Sequence, residues 1–73
     1  MNITELKPGD QANITGYHSG NSPFKQRLIA LGLLPQTPIR LLHIAPLGDP
    51  IAIEVRGFTL SLRRQEASIL KLE

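Results

Sequence analysis

The chain is 73 residues long, enough for one small domain and no second. It has no cysteine, which excludes disulfides and thiolate metal sites, and its eight basic and six acidic residues leave a net charge of +2. That mild surplus, with Tyr17, Phe24 and Phe58 as the aromatic residues, argues against the clustered basic and aromatic face of a nucleic-acid binder and points at most to contact with an acidic surface.

Met1-Asn2-Ile3-Thr4-Glu5 has neither the basic region nor the apolar run of a signal peptide. No uncharged apolar stretch approaches the ~20 residues of a membrane span, so a cytoplasmic protein without direct membrane insertion is expected. Lys7-Pro8-Gly9-Asp10 reads as a turn. Residues 11–17 then alternate, with Ala12 and Ile14 on one side and Gln11, Asn13 and Thr15 on the other, which predicts a half-buried strand. His18-Ser19-Gly20-Asn21 is loop material. Ser22-Pro23 is a helix start, the serine as N-cap and the proline at the position that needs no donor. The helix is predicted to run to Leu31, with Phe24, Leu28 and Leu31 as its buried stripe and Lys25, Gln26 and Arg27 toward water. Gly32 stops it, because left-handed dihedrals are cheap for glycine, and Pro35 forbids its resumption. Leu33 and Leu34 are left on an extended exit segment, where they must pack under something or offer an apolar handle to a partner.

Residues 39–44 are too apolar for a clean alternation, with Ile39 and Leu41 on one face and Leu42 and Ile44 on the other. The run predicts a strand covered on both sides, or one that a bulge rotates. Ala45-Pro46-Leu47-Gly48-Asp49-Pro50-Ile51 reads as a hairpin tip. Ile51, Ile53 and Val55 alternate with Ala52, Glu54 and Arg56, and Phe58, Leu60 and Leu62 alternate with Thr59, Ser61 and Arg63, so two strands are expected with Gly57 as their tight connection. A turn at Arg64-Gln65-Glu66 leads to a final strand over residues 67–72 that inserts Leu70 and Leu72. Five short strands and one helix predict a mainly β fold, closed into a small barrel because closure removes the exposed edges that so short a chain could not cover.

The run Arg27-Leu28-x-x-Leu31-Gly32-Leu33-x-Pro35 and the run Ala45-Pro46-Leu47-Gly48-Asp49-Pro50-Ile51 follow Leu6-x-Pro8-Gly9-Asp10 and precede Ala67-x-x-Leu70-x-Leu72. In this order they resemble the ferrous iron transport protein A family (FeoA), small cytoplasmic proteins of bacterial ferrous iron uptake. One departure is that Thr37-Pro38 follow Pro35, where the family often places a proline-glycine turn. The resemblance implies a single SH3-like domain over residues 1–73, a β-barrel of about five strands with one short α-helix inserted after the first strand. It further implies a non-enzymatic accessory of iron transport, which binds a large membrane ferrous iron transporter carrying a cytoplasmic GTPase domain and modulates uptake.

The residues agree with an absence of catalysis. His18 and His43 are distant in sequence, no nucleophile, base and orienter can be proposed from spacing, and Gly9 and Gly48 lack the spacing of a phosphate-cradling loop. No catalytic, cofactor or metal residue is predicted, since neither histidine has neighbours at ligand spacing. The expected contact residues are the exit segment Leu33, Leu34 and Pro35, the tip Leu47, Gly48 and Asp49, and the arginines Arg56 and Arg63, beside Arg64, on solvent faces of neighbouring strands. Leu47 leads, as an apolar side chain at the centre of a loop. Two other functions share this fold: a nucleic-acid-binding SH3-like module, against which the sparse aromatics argue, and a metal-sensing module related to the C-terminal domain of iron-dependent repressors, which needs ligands not found here.

Overall fold

A computed structural model describes residues 1–18 and 23–73, so the Ser22 cap and the Ser19-Gly20-Asn21 loop lie outside the described residues. The elements in chain order are a 3-10 turn (Ile3–Glu5), β1 (Gln11–Tyr17), α1 (Pro23–Ala30), β2 (Pro38–Ile44), β3 (Ile51–Val55), β4 (Phe58–Leu62), α2 (Arg64–Ala67) and β5 (Leu70–Leu72). The helix between the first two strands and the five strands are as predicted. The final strand is shorter than expected, because Ala67 is buried in a helical turn and the extended backbone begins only at Leu70.

All neighbouring strands are antiparallel and lie in the order β4-β3-β2-β1-β5. β1 is shared. Gln11, Ala12 and Asn13 pair with β2, whereas Ile14, Gly16 and Tyr17 pair with β5 after an irregularity between Ile14 and Gly16. The expected full closure is not reached: among the described residues no ladder joins β4 to β5, and the sheet is open with α2 in the connection between its two edge strands.

The core is one cluster in which Ile14, Leu28, Leu33, Ile39, Leu41, Ile53, Leu62 and Leu70 are sealed from solvent. The alternations of β1 and β3 place their apolar residues inward as predicted. In β2 the bulge wins over coverage on both sides. The register shifts between Leu41 and His43, Ile39 and Leu41 are buried, and Leu42 and Ile44 are exposed. In β4, Leu62 is buried and Leu60 packs against the core, but Phe58 is 69% exposed at a position expected to point inward. Arg56 and Gly57 have φ of 52° and 82° and join Val55 to its cross-strand partner Phe58, a two-residue turn of the kind that matches strand twist.

α1 buries Leu28 fully, while Phe24 and Leu31 are only half-buried. Lys25, expected toward water, is half-buried, whereas Arg27 is exposed as expected and still finds an ion-pair partner. The Lys25 ammonium lies 5.5 Å from the centroid of the Tyr17 ring, and the Arg27 Nε lies 3.0 Å from a Glu66 carboxylate oxygen. Before β1, the turn at Ile3–Glu5 buries Ile3, with the Asn2 side chain accepting from the Thr4 N–H at 3.2 Å.

Candidate functional site

The expected contact residues divide between two places. The first is the end of α1. The Gly32 N–H donates to the Ile29 carbonyl and the Leu33 N–H to the Leu28 carbonyl, at 3.0 and 2.9 Å, with Gly32 at φ 89°. This is the Schellman pairing of a helix C-terminus. It turns the chain back, so Leu33 enters the core and is no apolar handle, which corrects the expectation for that residue. The Leu33 carbonyl is held as well, accepting from the Tyr17 hydroxyl at 2.5 Å. Burial of Tyr17 pushes its hydroxyl pKa above the usual tyrosine value. Leu34 is 36% exposed and Pro35 is exposed.

Gln36 follows at φ 71°, in the left-handed position that glycine would take more readily. Its neighbour Thr37 is buried, and the Thr37 hydroxyl accepts from the Arg56 guanidinium at 3.2 Å. A Cβ added at Gly32 would lie 3.7 Å from the same guanidinium. Arg56 thus fastens the β3–β4 turn to the helix exit rather than standing free on a solvated strand.

The second place is the β2–β3 tip. The Gly48 N–H donates to the Ala45 carbonyl at 2.7 Å, Gly48 has φ 88°, and the Ala45 N–H donates to the Pro50 carbonyl at 3.1 Å. The Asp49–Pro50 peptide is cis. Asp49 accepts from the Arg64 N–H at 3.0 Å, which ties the tip to the start of α2. Leu47 stands at the summit, 96% exposed. Behind it lies a cleft of about 150 Å³ walled by Leu6, Leu41, Ile44 and Ile51, with Gly48 and Arg64 at its rim. Arg63 is exposed at the end of β4 nearest the tip, since Leu62 pairs with Ile51.

These two places sit at opposite ends of β3. Five strand residues separate Pro50 from Arg56, a span of about 13 Å or more. Leu47, Gly48, Asp49 and Arg63 therefore gather at one end, and Leu34, Pro35 and Arg56 at the other.

Sequence reasoning passed over Glu66. It is buried, accepts from the Arg63 N–H at 2.9 Å and pairs with Arg27, so one carboxylate joins α1 to α2. A glutamate three residues after a helix cap was the available signal. His43 is exposed on β2 opposite Ala52, and the His18 N–H donates to the Ile69 carbonyl. Among the described residues, no group of three or more His, Cys, Asp or Glu is placed to hold a metal ion. None of their helices is long and apolar enough to cross a membrane.

The family model of the FeoA domain matches residues 1–73. The chain belongs to the FeoA family. Over all its residues it is 33% identical to the Fe(2+) transport protein A/Fe(2+) transporter FeoB fusion protein of Porphyromonas gingivalis, of whose length it spans 8%. The solution structure of FeoA from Chlorobium tepidum is similar over the whole chain and 69% of its own length, with 37% identity and a TM-score of 0.87. The zinc-complexed FeoA of Stenotrophomonas maltophilia, described as an SH3 domain protein, matches over the whole chain and 89% of its own length at 24% identity and a TM-score of 0.84, and speaks to the fold alone. In the Porphyromonas gingivalis relative the two components named, the transport protein and the transporter, form one fused chain.

Proposed function

We propose that this FeoA domain is a cytoplasmic, non-enzymatic regulator that docks on the GTPase-bearing part of a membrane ferrous iron transporter through the β2–β3 tip and modulates uptake. The observation that carries the reading is Leu47, 96% exposed on a turn tied down by Gly48 and by Asp49. A leucine held out of the core on a turn fixed at both sides is a preset apolar anchor of the kind that inserts into a partner's pocket. Fusion of the two components in the Porphyromonas protein supports the choice of partner, since a shared chain holds the modules at high local concentration.

Arg63 and Arg64 beside the tip give the surface its sign and suit an acidic groove on the partner. Leu34 and Pro35, at the far end of β3, form a second contact only if the partner spans both ends. The chain itself supplies docking and no bond-breaking chemistry, and nucleic acid is no ligand in this reading.

Leu47→Asp tests it. The variant is expected to unfold at nearly the wild-type urea concentration, because exposed substitutions change stability by ~0.5 kcal/mol or less. It is also expected to fail to restore ferrous iron uptake in a cell lacking the native protein. Full uptake by the folded variant removes the tip from the interface.

A further inference from the structure

The sheet ends one strand before its apolar face does. Phe58 opens β4 on the same side as Leu60 and Leu62, and its cross-strand partner Val55 is buried, yet Phe58 itself is 69% exposed. Among the described residues nothing lies beyond β4 in the strand order to cover it.

The outer edge of β4 is also chemically open. Val55 and Phe58 flank a two-residue turn and so form a hydrogen-bonded pair, and the antiparallel alternation makes Leu60 and Leu62 the next residues bonded to β3. The N–H and C=O of Thr59 and Ser61 therefore point away from the sheet. Among the described residues, no backbone or side-chain hydrogen bond reaches them from outside the β3–β4 ladder. The other edge is different, for there the Leu72 N–H already donates to the Met1 carbonyl.

From this edge we infer a β-augmentation site: β4 receives an extended peptide whose ends are acidic, bonded to Thr59 and Ser61 and covering Phe58 with its inward side chains. Charge selects the occupant. Residues 55–65 contain no acid, and Arg56 stands before the strand with Arg63 and Arg64 after it. A second copy pairing antiparallel about Leu60 would bring Arg56, in the turn before the strand, near the partner's Arg63 and Arg64, just after it, and like charges brought together at both ends oppose pairing. Carboxylates at both ends of the incoming segment turn that repulsion into attraction. This site shares Arg63 and Arg64 with the β2–β3 tip, but its backbone and apolar contacts, Thr59, Ser61 and Phe58, are separate from Leu47, so the two proposals are tested by different variants.

The test uses the purified chain and a synthetic probe, Asp-Glu-Val-Thr-Val-Thr-Val-Glu-Asp, whose palindromic order serves either strand direction. We expect saturable binding by fluorescence anisotropy, with amide exchange at Thr59 and Ser61 fast in the free chain and protected when the probe binds. Replacing the four acids by lysine should weaken binding at least tenfold. Ser61→Pro should do the same while leaving the β3 ladder whole, since it deletes only an outward N–H.

If Ser61→Pro does not fold, Phe58→Ser takes its place and should weaken the probe by removing its apolar contact. Four results each overturn the inference: no binding of the acidic probe, equal binding of the lysine probe, protection appearing at other amides, or a free chain that already dimerises with Thr59 and Ser61 protected.

Discussion

The helix exit and the hairpin tip use the same materials, a glycine at positive φ, a proline and a leucine, and send their leucines in opposite directions. At the exit, Leu33 follows Gly32 and is sealed in the core; at the tip, Leu47 precedes Gly48 and is 96% exposed. The difference lies in what the glycine closes. Gly32 ends a helix whose orphan carbonyls capture the next two amides, and that capture folds the following residue back on Leu28. Gly48 closes a turn between two strands, where the Ala45 carbonyl is satisfied locally and the residue before the glycine is carried outward. A leucine beside a glycine thus has no fixed fate until the element being terminated is known.

Leu33→Ala should separate the two sites most widely. Truncating a fully buried leucine costs about 2–5 kcal/mol, comparable to the ~3–5 kcal/mol that a core of this size supplies, so the variant should be largely unfolded. A urea midpoint within error of wild type would place Leu33 outside the core and erase the contrast.

Tyr17→Phe removes the hydroxyl that holds the Leu33 carbonyl and should cost about 1 kcal/mol. It should also alter alkaline unfolding. Because burial raises the folded pKa above the unfolded value of 10.0, the contribution of Tyr17 is complete below that value and is lost as pH rises through the folded pKa. Wild type should therefore weaken above about pH 10 by an increment that Tyr17→Phe lacks, and parallel pH curves for the two proteins would count against this role.

Leu47→Ala has the smallest expected effect, a change of no more than ~0.5 kcal/mol in urea unfolding, because the side chain leaves no core contact behind. A loss approaching that of Leu33→Ala would show Leu47 seated in the cleft behind the tip, and the two regions would then be alike.

Much of this was legible in the sequence where period and punctuation agree. The clean alternation of Ile51, Ile53 and Val55, the Gly32 stop and the Gly57 connection appear in the structure as read. Where readings failed, long-range geometry decided. Phe58 obeys the alternation of β4, but among the described residues the sheet has no strand beyond β4 to cover it, and no local pattern reports how many strands a sheet will have. Gln36 takes the left-handed position of a proline-glycine turn without being glycine, and the turn persists because it is bonded on both sides to β1: the Gln36 N–H donates to the Ile14 carbonyl and the Ile14 N–H to the Thr37 carbonyl. The contact residues were read one by one, but their division between the two ends of β3 needed the register. Glu66 and Arg27 are 39 positions apart in numbering, and spacing alone pairs nothing at that distance.

The sharing of β1 between β2 and β5 bears on how the protein is made. The second half of β1 bonds to residues 70–72, and Met1 bonds to Leu72, so the first strand of this domain waits in synthesis for its last. At roughly 5–20 residues per second, Ile14 spends several seconds of synthesis without its strand partner. Closing so long a loop favours slow folding over the fast folding of local contacts. Assembly of this sheet is accordingly completed only after residues 70–72 are made, however small the domain.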